Sequence, residues 1–227
     1  MERLPYLGRS LGPTERTPRL LRRLLPLALL LLAARFVGFS VEPAGNQEVD
    51  LATGITTLPQ GGVLTDNQNG LKLTGKYIQY KEGSFIKARE ARLDTGEAEF
   101  TASDLEYQVK GETVRLKGMG YHSKDLKSVS AQAGLAFLND EVVVVRGQVR
   151  SADPQLDAEL MVVDTGRKQA LLIGRFSYQD PKSKAILRGQ RAEDMLLLTL
   201  RQGSTPLFTS KVPAEVASRL KPYASKL

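Results

Sequence analysis

The chain has 227 residues, enough for one large all-β domain or two small ones, and its core must be aliphatic because aromatic residues make up only 6% and tryptophan is absent. The absence of cysteine excludes disulfides, thiolate catalysis and cysteine-ligated metals, and a single histidine removes most zinc sites. Residues 1–23 and Arg35 contribute +5 of the formal charge of +7, so the near-neutral remainder has no electrostatic signature of nucleic-acid binding.

The first predicted element is an arginine-flanked apolar segment near the N-terminus. Four arginines within residues 16–23 precede residues 24–34, which carry no charge, and this order is typical of a secretory signal. Residues 24–41 approach the length of about 20 apolar residues that a membrane-spanning helix needs, provided that Arg35 snorkels to the interface. Cleavage after Ser40 is sterically acceptable. We therefore expect either an uncleaved helical anchor or a cleaved signal over residues 24–41, with the basic region 1–23 on the cytoplasmic side.

Residues 42–69 are rich in Pro, Gly, Asn and Gln, which predicts a linker with one short strand. From Leu71 onward apolar and polar residues alternate, for example over residues 98–102, 129–137 and 156–162. A period of two predicts strands with one buried face and one face in water.

The alternating segments also repeat. Residues 107–118, 137–147, 163–174 and 178–189 each start at an aromatic or apolar residue, pass a polar turn and close on glycine. Imperfect repeats of this kind predict stacked antiparallel hairpins with one continuous interior, and the glycines are expected at bends or bulges where the sheet curls. The predicted fold of residues 70–202 is therefore all-β. It is either a meander or sandwich with a filled core, or an open, curled double sheet with a partly empty interior.

Residues 203–227 are predicted to form a tail with one short helix. Pro213 stands where a helix begins, and Val212, Val216 and Leu220 follow one another at a spacing of four residues. Because so short a helix is not stable alone, we expect it to cap the sheet or to fray.

The motif Asp-Thr-Gly occurs twice, at Asp94 and at Asp164, and it is the one motif that suggests an enzyme, because paired carboxylates in such loops resemble the aspartic proteases. Here the motifs continue with Glu97 and Arg167, long charged side chains that suit solvent, and both fall where the repeat needs a turn. We interpret both motifs as hairpin turns and the lone His122 as a surface residue in a polar loop. No catalytic residue, metal site or cofactor is predicted.

Residues 129–149, which run from Val129-Ser-Ala to Gly147-Gln-Val149, resemble the strand, turn, strand, Gly-x-Val phrase of the OstA-like family. The members of this family include the periplasmic lipopolysaccharide-transport proteins LptA and LptC. Residues 156–174 resemble the next unit, and the similarity covers residues 70–200. The resemblance implies an open, twisted β-jelly-roll of antiparallel hairpins, with a groove that shelters acyl chains and with sheet edges that pair head-to-tail.

The resemblance also implies a function without catalysis, as a lipid-binding module of a lipopolysaccharide or glycolipid export bridge. The implied partners are the lipid, the membrane, ABC transporter membrane subunits and other OstA-like jelly-roll domains, with no nucleic acid. An uncleaved segment 24–41 would make the chain LptC-like, anchored in the inner membrane and facing the periplasm. A cleaved segment would make it LptA-like and periplasmic.

The candidate groove-lining residues are the inward positions of the alternating strands. The same residues would form a closed core if the chain were instead a structural envelope or surface scaffold built from β-repeats. The candidates are Phe100, Leu105, Tyr107, Val114, Leu116, Leu135, Phe137, Val144, Leu160 and Val162.

Overall fold

The computed structural model describes residues 38–66, 70–94, 96, 98–123, 128–201 and 204–227. The predicted anchor or signal over residues 24–41 lies outside the described residues, except for its last four positions. Of the helices in the described part of the chain, none is long and apolar enough to cross a membrane.

The described residues form sixteen strands and one helix, and the strand pairs among them are antiparallel, which confirms the predicted all-β class. The strands are β1 (Ser40–Pro43), β2 (Glu48–Asp50), β3 (Ile55–Leu58), β4 (Gly62–Asp66), β5 (Leu71–Gly75), β6 (Tyr77–Lys81), β7 (Phe85–Asp94), β8 (Ala98–Gln108), β9 (Thr113–Ser123), β10 (Val129–Phe137), β11 (Val142–Ala152), β12 (Gln155–Asp164), β13 (Gln169–Gln179), β14 (Ile186–Gly189), β15 (Met195–Arg201) and β16 (Ser204–Thr209). The helix α1 spans Ala214–Ala224.

The sheet forks at both ends into two half-sheets. The first half of β7 pairs with β6 and its second half with β5, while the first half of β13 pairs with β15 and its second half with β14. We call sheet I the half that contains β1, β4, β5 and β14, and sheet II the half that contains β2, β3, β6, β15 and β16. The long strands β7–β13 run through both. Leu64 and Leu73 of sheet I and Leu58 and Ile78 of sheet II belong to one buried cluster, so the two half-sheets share an interior.

Mid-strand bulges mark the passage from one half-sheet to the other. Gly147 and Gln148 in β11 have positive φ angles of 78° and 49°, and Gly174 in β13 has a φ of 82°. The strand register shifts beside these residues, between Arg146 and Val149 and between Ala158 and Leu160. The sequence prediction that repeat glycines mark bulges is therefore confirmed at these two positions. A bulge exchanges the two faces of a strand, because successive side chains point to opposite sides.

Residues 40–66 contain four strands, whereas the sequence predicted a linker with one short strand. The glycines and prolines of this segment lie between the strands or at strand ends: Gly61 has a φ of 77° in the turn that leads into β4, and Pro43 and Gly62 are terminal residues of β1 and β4. Leu58 and Leu64 are fully buried, so this segment completes the N-terminal end of both half-sheets. The predicted tail likewise begins with a strand, β16.

The helix α1 covers the outer face of sheet II. Val216 and Leu220 pack against a second buried cluster that includes Val142, Leu171 and Leu197. Four successive residues of β11, from Val142 to Val145, are consequently buried on both faces of the sheet. The helix begins directly after Pro213, at the position that the sequence indicated.

Candidate functional site

An apolar cavity of about 110 Å³ lies between the two half-sheets. Its lining combines residues of sheet I, such as Phe100 and Leu156, with residues of sheet II, such as Met161 and Leu198. The cavity is smaller than the roughly 300 to 1,000 Å³ of typical ligand pockets, and most of the interior is filled. The full lining is Phe100, Leu116, Met119, Tyr121, Val129, Leu135, Ala136, Val143, Val145, Ser151, Pro154, Leu156, Met161, Val163, Ala170 and Leu198.

One wall of the cavity belongs to a cross-strand row on the inner face of sheet I. Ten register pairs connect eleven residues, one from each strand, and all but one of these residues are aliphatic or aromatic. The exception is Ser151 of β11. In sheet order, the row is Val41, Leu64, Leu73, Leu93, Phe100, Tyr121, Val129, Ser151, Leu156, Tyr178 and Leu187.

The ten predicted groove residues fall into three groups. Three of them, Phe100, Leu116 and Leu135, line the cavity. Leu105, Tyr107 and Val114 are buried in the core cluster between the half-sheets and do not line it. The remaining four lie against the other cluster, beneath α1, on the outer face of sheet II: Phe137, Val144, Leu160 and Val162.

These four residues were predicted to lie on the inward face, and they lie on the outer face because of the bulges. Ala158 lies in the inner cluster and Leu160 in the outer one, although they are two residues apart, and the register shifts between them. A prediction from simple alternation keeps every second residue on the same face along the whole strand. Beyond a bulge it therefore assigns the side chains to the wrong face of the sheet. The ring of Phe137 instead packs at 5.1 Å from the ring of Tyr223 in α1.

Sequence reasoning missed most of the cavity wall. Met119 and Met161 carry flexible side chains that adapt to irregular spaces, and both line the cavity. Ser151 lies two residues after Val149, and both side chains are buried. A polar residue at an inward position of an alternating strand was a feature of the sequence from which Ser151 could have been selected as a candidate. The ring of Tyr121 packs at a tilt of 53° against that of Phe100, with ring centroids 4.7 Å apart. Predicting this contact requires knowledge of the strand register.

The two Asp-Thr-Gly motifs form turns, as the sequence indicated. The backbone N–H of Gly96 donates to Asp94 Oδ1 at 2.7 Å in the β7–β8 turn, and the backbone N–H of Arg167 donates to Asp164 Oδ1 at 2.6 Å after β12. Because successive turns alternate between the two ends of antiparallel strands, these hairpins lie at opposite strand ends. Each carboxylate is held by its own turn, so the aspartate pair of a protease is not assembled.

The single histidine, the other residue with possible catalytic or metal-binding chemistry, also lies on the surface. His122 is an exposed residue of β9, not of a loop, because the strand continues past the positive-φ residue Gly118. Within the described part of the chain no three His, Cys, Asp or Glu side chains stand close enough to hold a metal ion.

Aromatic pairs bridge the half-sheets at both ends of the interior. At the N-terminal end Phe39 packs edge-on against Tyr80 with ring centroids 5.2 Å apart, and at the C-terminal end Tyr178 and Phe208 approach to 6.0 Å. Three of the four partly exposed lining residues, Phe100, Val129 and Pro154, lie instead at or next to strand ends of sheet I, and the fourth is Leu116 within β9. The cavity therefore opens at the side of the double sheet.

At both ends of the double sheet, the outermost strand of each half-sheet has one unpaired edge. Among the described residues β1 pairs with β4 alone, β2 with β3, β14 with β13 and β16 with β15. The N-terminal edges carry the exposed acids Glu42, Glu48 and Asp50, and β14 at the C-terminal end carries Arg188. Exposed apolar side chains accompany both ends: Val49, Leu51, Ile186, Leu207 and Phe208.

No protein-family model matches the sequence, and no curated protein has significant sequence similarity to it. Among solved structures, the chain is similar to the crystal structure of LptH, described as the LptA homologous periplasmic component of the conserved lipopolysaccharide transport device from Pseudomonas aeruginosa. The match has a TM-score of 0.36 and 13% sequence identity, and it covers 80% of this chain and 99% of that chain. At this identity no residue role passes from that protein to this chain.

Proposed function

We propose that this chain is a lipid-binding module, without catalytic activity, of a lipopolysaccharide or glycolipid export bridge on the periplasmic side of the inner membrane. The observation that carries the proposal is the side-opening apolar cavity between two half-sheets whose terminal edges are unpaired. The OstA-like resemblance of residues 70–200 supports the same function, with an open β-jelly-roll as its architecture.

The interior supplies the driving force for binding an acyl chain. Apolar surface removed from water contributes about 25 cal/mol for each Å². Since the cavity volume is about 110 Å³, only a short part of a chain fits without movement of the wall. Met119 and Met161 are the wall residues best able to move, because an unbranched thioether side chain rearranges at low cost.

The unpaired edges supply the means of assembly. A strand added to an open edge gains main-chain hydrogen bonds without requiring particular side chains. Acidic β1 and β2 at one end and a basic β14 at the other give the two ends opposite charge, which favours head-to-tail pairing of related domains. If residues 24–41 remain as an anchor, the same domain would stand beside the ABC transporter membrane subunits as an LptC-like unit. If they are cleaved, it would be a mobile LptA-like unit.

A structural envelope scaffold is the second candidate function, and the packing of the N-terminal third favours it. Leu58, Leu64 and Ile78 have no exposed surface, and Leu71 and Leu73 expose 1% each. This part of the interior is a closed core that offers no room for an acyl chain.

Photo-crosslinking in intact cells separates the two functions. A photoreactive residue at Phe100 or Leu116, which line the cavity, should attach to lipid if the proposed function holds. Phe137 is the matched control, because it lies on the outer face beneath α1. Lipid adducts from the cavity positions and none from Phe137 would support the module. Equal yields from all three positions, or none from a correctly folded chain, would favour the scaffold.

A further inference from the structure

A second groove, of about 260 Å³, lies on the outer face of sheet II, on the half of that face that α1 leaves uncovered. Its lining comes from β6–β9, and its volume is near the lower end of the roughly 300 to 1,000 Å³ of small-molecule pockets. Val114 and Leu116, on either side of Arg115, pack in the interior, so the sheet separates this groove from the apolar cavity. The charged lining residues are Lys87, Arg89, Asp104, Glu106, Arg115 and Lys117.

The two cations of β9 have no counter-ion in the described part of the chain. Arg115 and Lys117 lie directly across the strand register from Glu106 and Asp104, an arrangement in which opposite charges usually attract one another. Neither cation nevertheless has a carboxylate of the described residues within 4 Å. Their register neighbours on β10 are uncharged. Two like charges therefore stand side by side on an exposed strand face and are available to an anion.

The two carboxylates of the groove have other partners and retain free acceptor positions. Glu106 lies 3.6 Å from Lys87 Nζ and accepts a hydrogen bond from Gln108 Nε2 at 2.6 Å. Asp104 accepts a hydrogen bond from Ser103 Oγ at 3.4 Å. Because an ionised carboxylate offers about four lone-pair positions, both groups can accept further hydrogen bonds from a ligand.

An aromatic ring lies at the β6 side of the groove. The guanidinium group of Arg89 lies 5.0 Å from the ring centroid of Tyr77, and both residues line the groove. A cation–π contact of this kind restrains the arginine side chain. The groove therefore combines a restrained cation at one side with the unpaired cations of β9 at the other, and the carboxylates of β8 lie between them.

We propose that this groove binds a phosphorylated saccharide, with its phosphate on Arg115 and Lys117 and its sugar hydroxyls on Asp104 and Glu106. A guanidinium group matches the geometry of a phosphate, and an ammonium group adds a point charge. An inorganic anion would satisfy the cations but would be repelled by the nearby carboxylates, and a neutral sugar would leave the cations unpaired. A ligand that carries both groups satisfies both sides. The inference does not depend on lipid binding in the apolar cavity.

A comparison of α-D-glucose 1-phosphate, inorganic phosphate and glucose tests the proposal on the full-length chain in maltoside detergent at low ionic strength. Tyrosine rings labelled with ¹³C report binding, because Tyr77 lines the groove while Tyr178 is buried in the interior. Glucose 1-phosphate should shift the Tyr77 signal, leave the Tyr178 signal in place and bind at least about fivefold more tightly than inorganic phosphate. Glucose alone should bind more weakly than either.

Variants of the two sides of the groove should have different effects. Arg115→Gln should weaken the binding of glucose 1-phosphate and of inorganic phosphate alike, by about fivefold to tenfold. Asp104→Ala should lower the preference for glucose 1-phosphate over inorganic phosphate by about fivefold, because it removes a sugar acceptor and a charge that repels phosphate. Lys72→Gln is the control for net charge, since Lys72 is an exposed residue of β5 in sheet I. It should change both affinities less than about twofold.

Four outcomes would overturn the inference: no shift at Tyr77, equal affinity for the two phosphates, equal effects of Arg115→Gln and Lys72→Gln, and an unchanged preference in Asp104→Ala. All three substituted side chains are exposed, so the thermal midpoint of each variant should equal that of the wild type. The crosslinking from Phe100 and Leu116 tests the cavity separately. Failure of the groove proposal is thereby distinguished from failure of the proposed function.

Discussion

The carboxylate of Asp164, at the end of β12, accepts a charge-assisted hydrogen bond from the guanidinium group of Arg219 in α1. The Asp164 side chain is 5% exposed and that of Arg219 23% exposed, so the pair is largely withdrawn from water. Arg219 also donates to Gln169 Oε1 at 2.7 Å on β13. An Asp-Thr-Gly motif that suggested catalysis thus fastens the C-terminal helix to the sheet.

Asp164→Ala should lower the free energy of unfolding by about 2 to 4 kcal/mol, because it leaves the Arg219 charge partly buried without its counter-ion. Chemical denaturation of the full-length chain measures this change. Asp94→Ala in the other Asp-Thr-Gly motif is the matched control and should cost less than about 1 kcal/mol, since its turn is exposed. Similar costs for the two variants would show that the ion pair does not hold α1. The double variant Asp164→Ala with Arg219→Met should recover part of the loss.

Tyr178 should make the stability of the fold sensitive to alkaline pH. Burial raises the pKa of Tyr178, and the charge of Asp180 adds to the shift. Below a pH of about 10 the phenol is protonated in both the folded and the unfolded chain and contributes no pH dependence. Above that pH the unfolded chain loses the proton first, so the folded chain binds more protons and stability falls as pH rises.

Tyr178→Phe should reduce this alkaline loss of stability, measured as the free energy of unfolding at neutral and alkaline pH. At neutral pH the variant should be as stable as the wild type or more stable by up to about 1 kcal/mol, because the buried Tyr178 hydroxyl has no hydrogen-bond partner among the described residues. A loss of more than about 2 kcal/mol at neutral pH would show that the hydroxyl is satisfied in solution.

Head-to-tail association should depend on the charges of the terminal strands. Replacing Glu48 and Asp50 of β2 by lysine should weaken self-association of the chain roughly fivefold or more at low salt, because both ends of the double sheet then carry positive charge. Sedimentation velocity measures the effect. Adding Lys184→Glu in the loop before β14 and Arg188→Glu in β14, at the other end, should restore association. The difference should disappear near 1 M salt, where screening acts within about 3 Å. Association that is indifferent to all four changes would contradict this mode of pairing.

The class of the fold was predictable from the sequence, because alternation and hairpin repeats are local signals. Leu71 and Leu73 are buried and Lys72 is exposed, in agreement with a period of two. The helix after Pro213 was predictable for the same reason. The strands β1–β4 were not, since each has five residues or fewer, and β1 and β3 are stabilised by pairing with β4 and β6, which are not their neighbours in the chain.

The cavity was only partly predictable. Phe100 and Leu116 were identified, but Val144 and Leu160 were placed on the wrong face because a bulge stands between the halves of their strands. The sequence shows a glycine at such a position without showing whether it bends the strand. That property is set by the partner strand, whose register decides where the extra residue is accommodated.

The bulge glycines should differ in their tolerance of alanine. Gly147 and Gly174 have φ angles of 78° and 82°, so alanine is strained at both positions, at a cost of about 1 kcal/mol. An added Cβ at Gly174 would have its nearest contact at 3.9 Å, whereas at Gly147 it would fall within the contact distance of the Gln132 side chain, whose Cβ is 3.0 Å away. Gly147→Ala should therefore cost more than Gly174→Ala, by about 1 kcal/mol, in chemical denaturation. Gly147→Ala combined with Gln132→Ala removes the crowding side chain and should return the cost to that of Gly174→Ala. Equal costs for the two single variants would mean that Gln132 moves aside freely and that backbone strain alone sets the requirement for glycine.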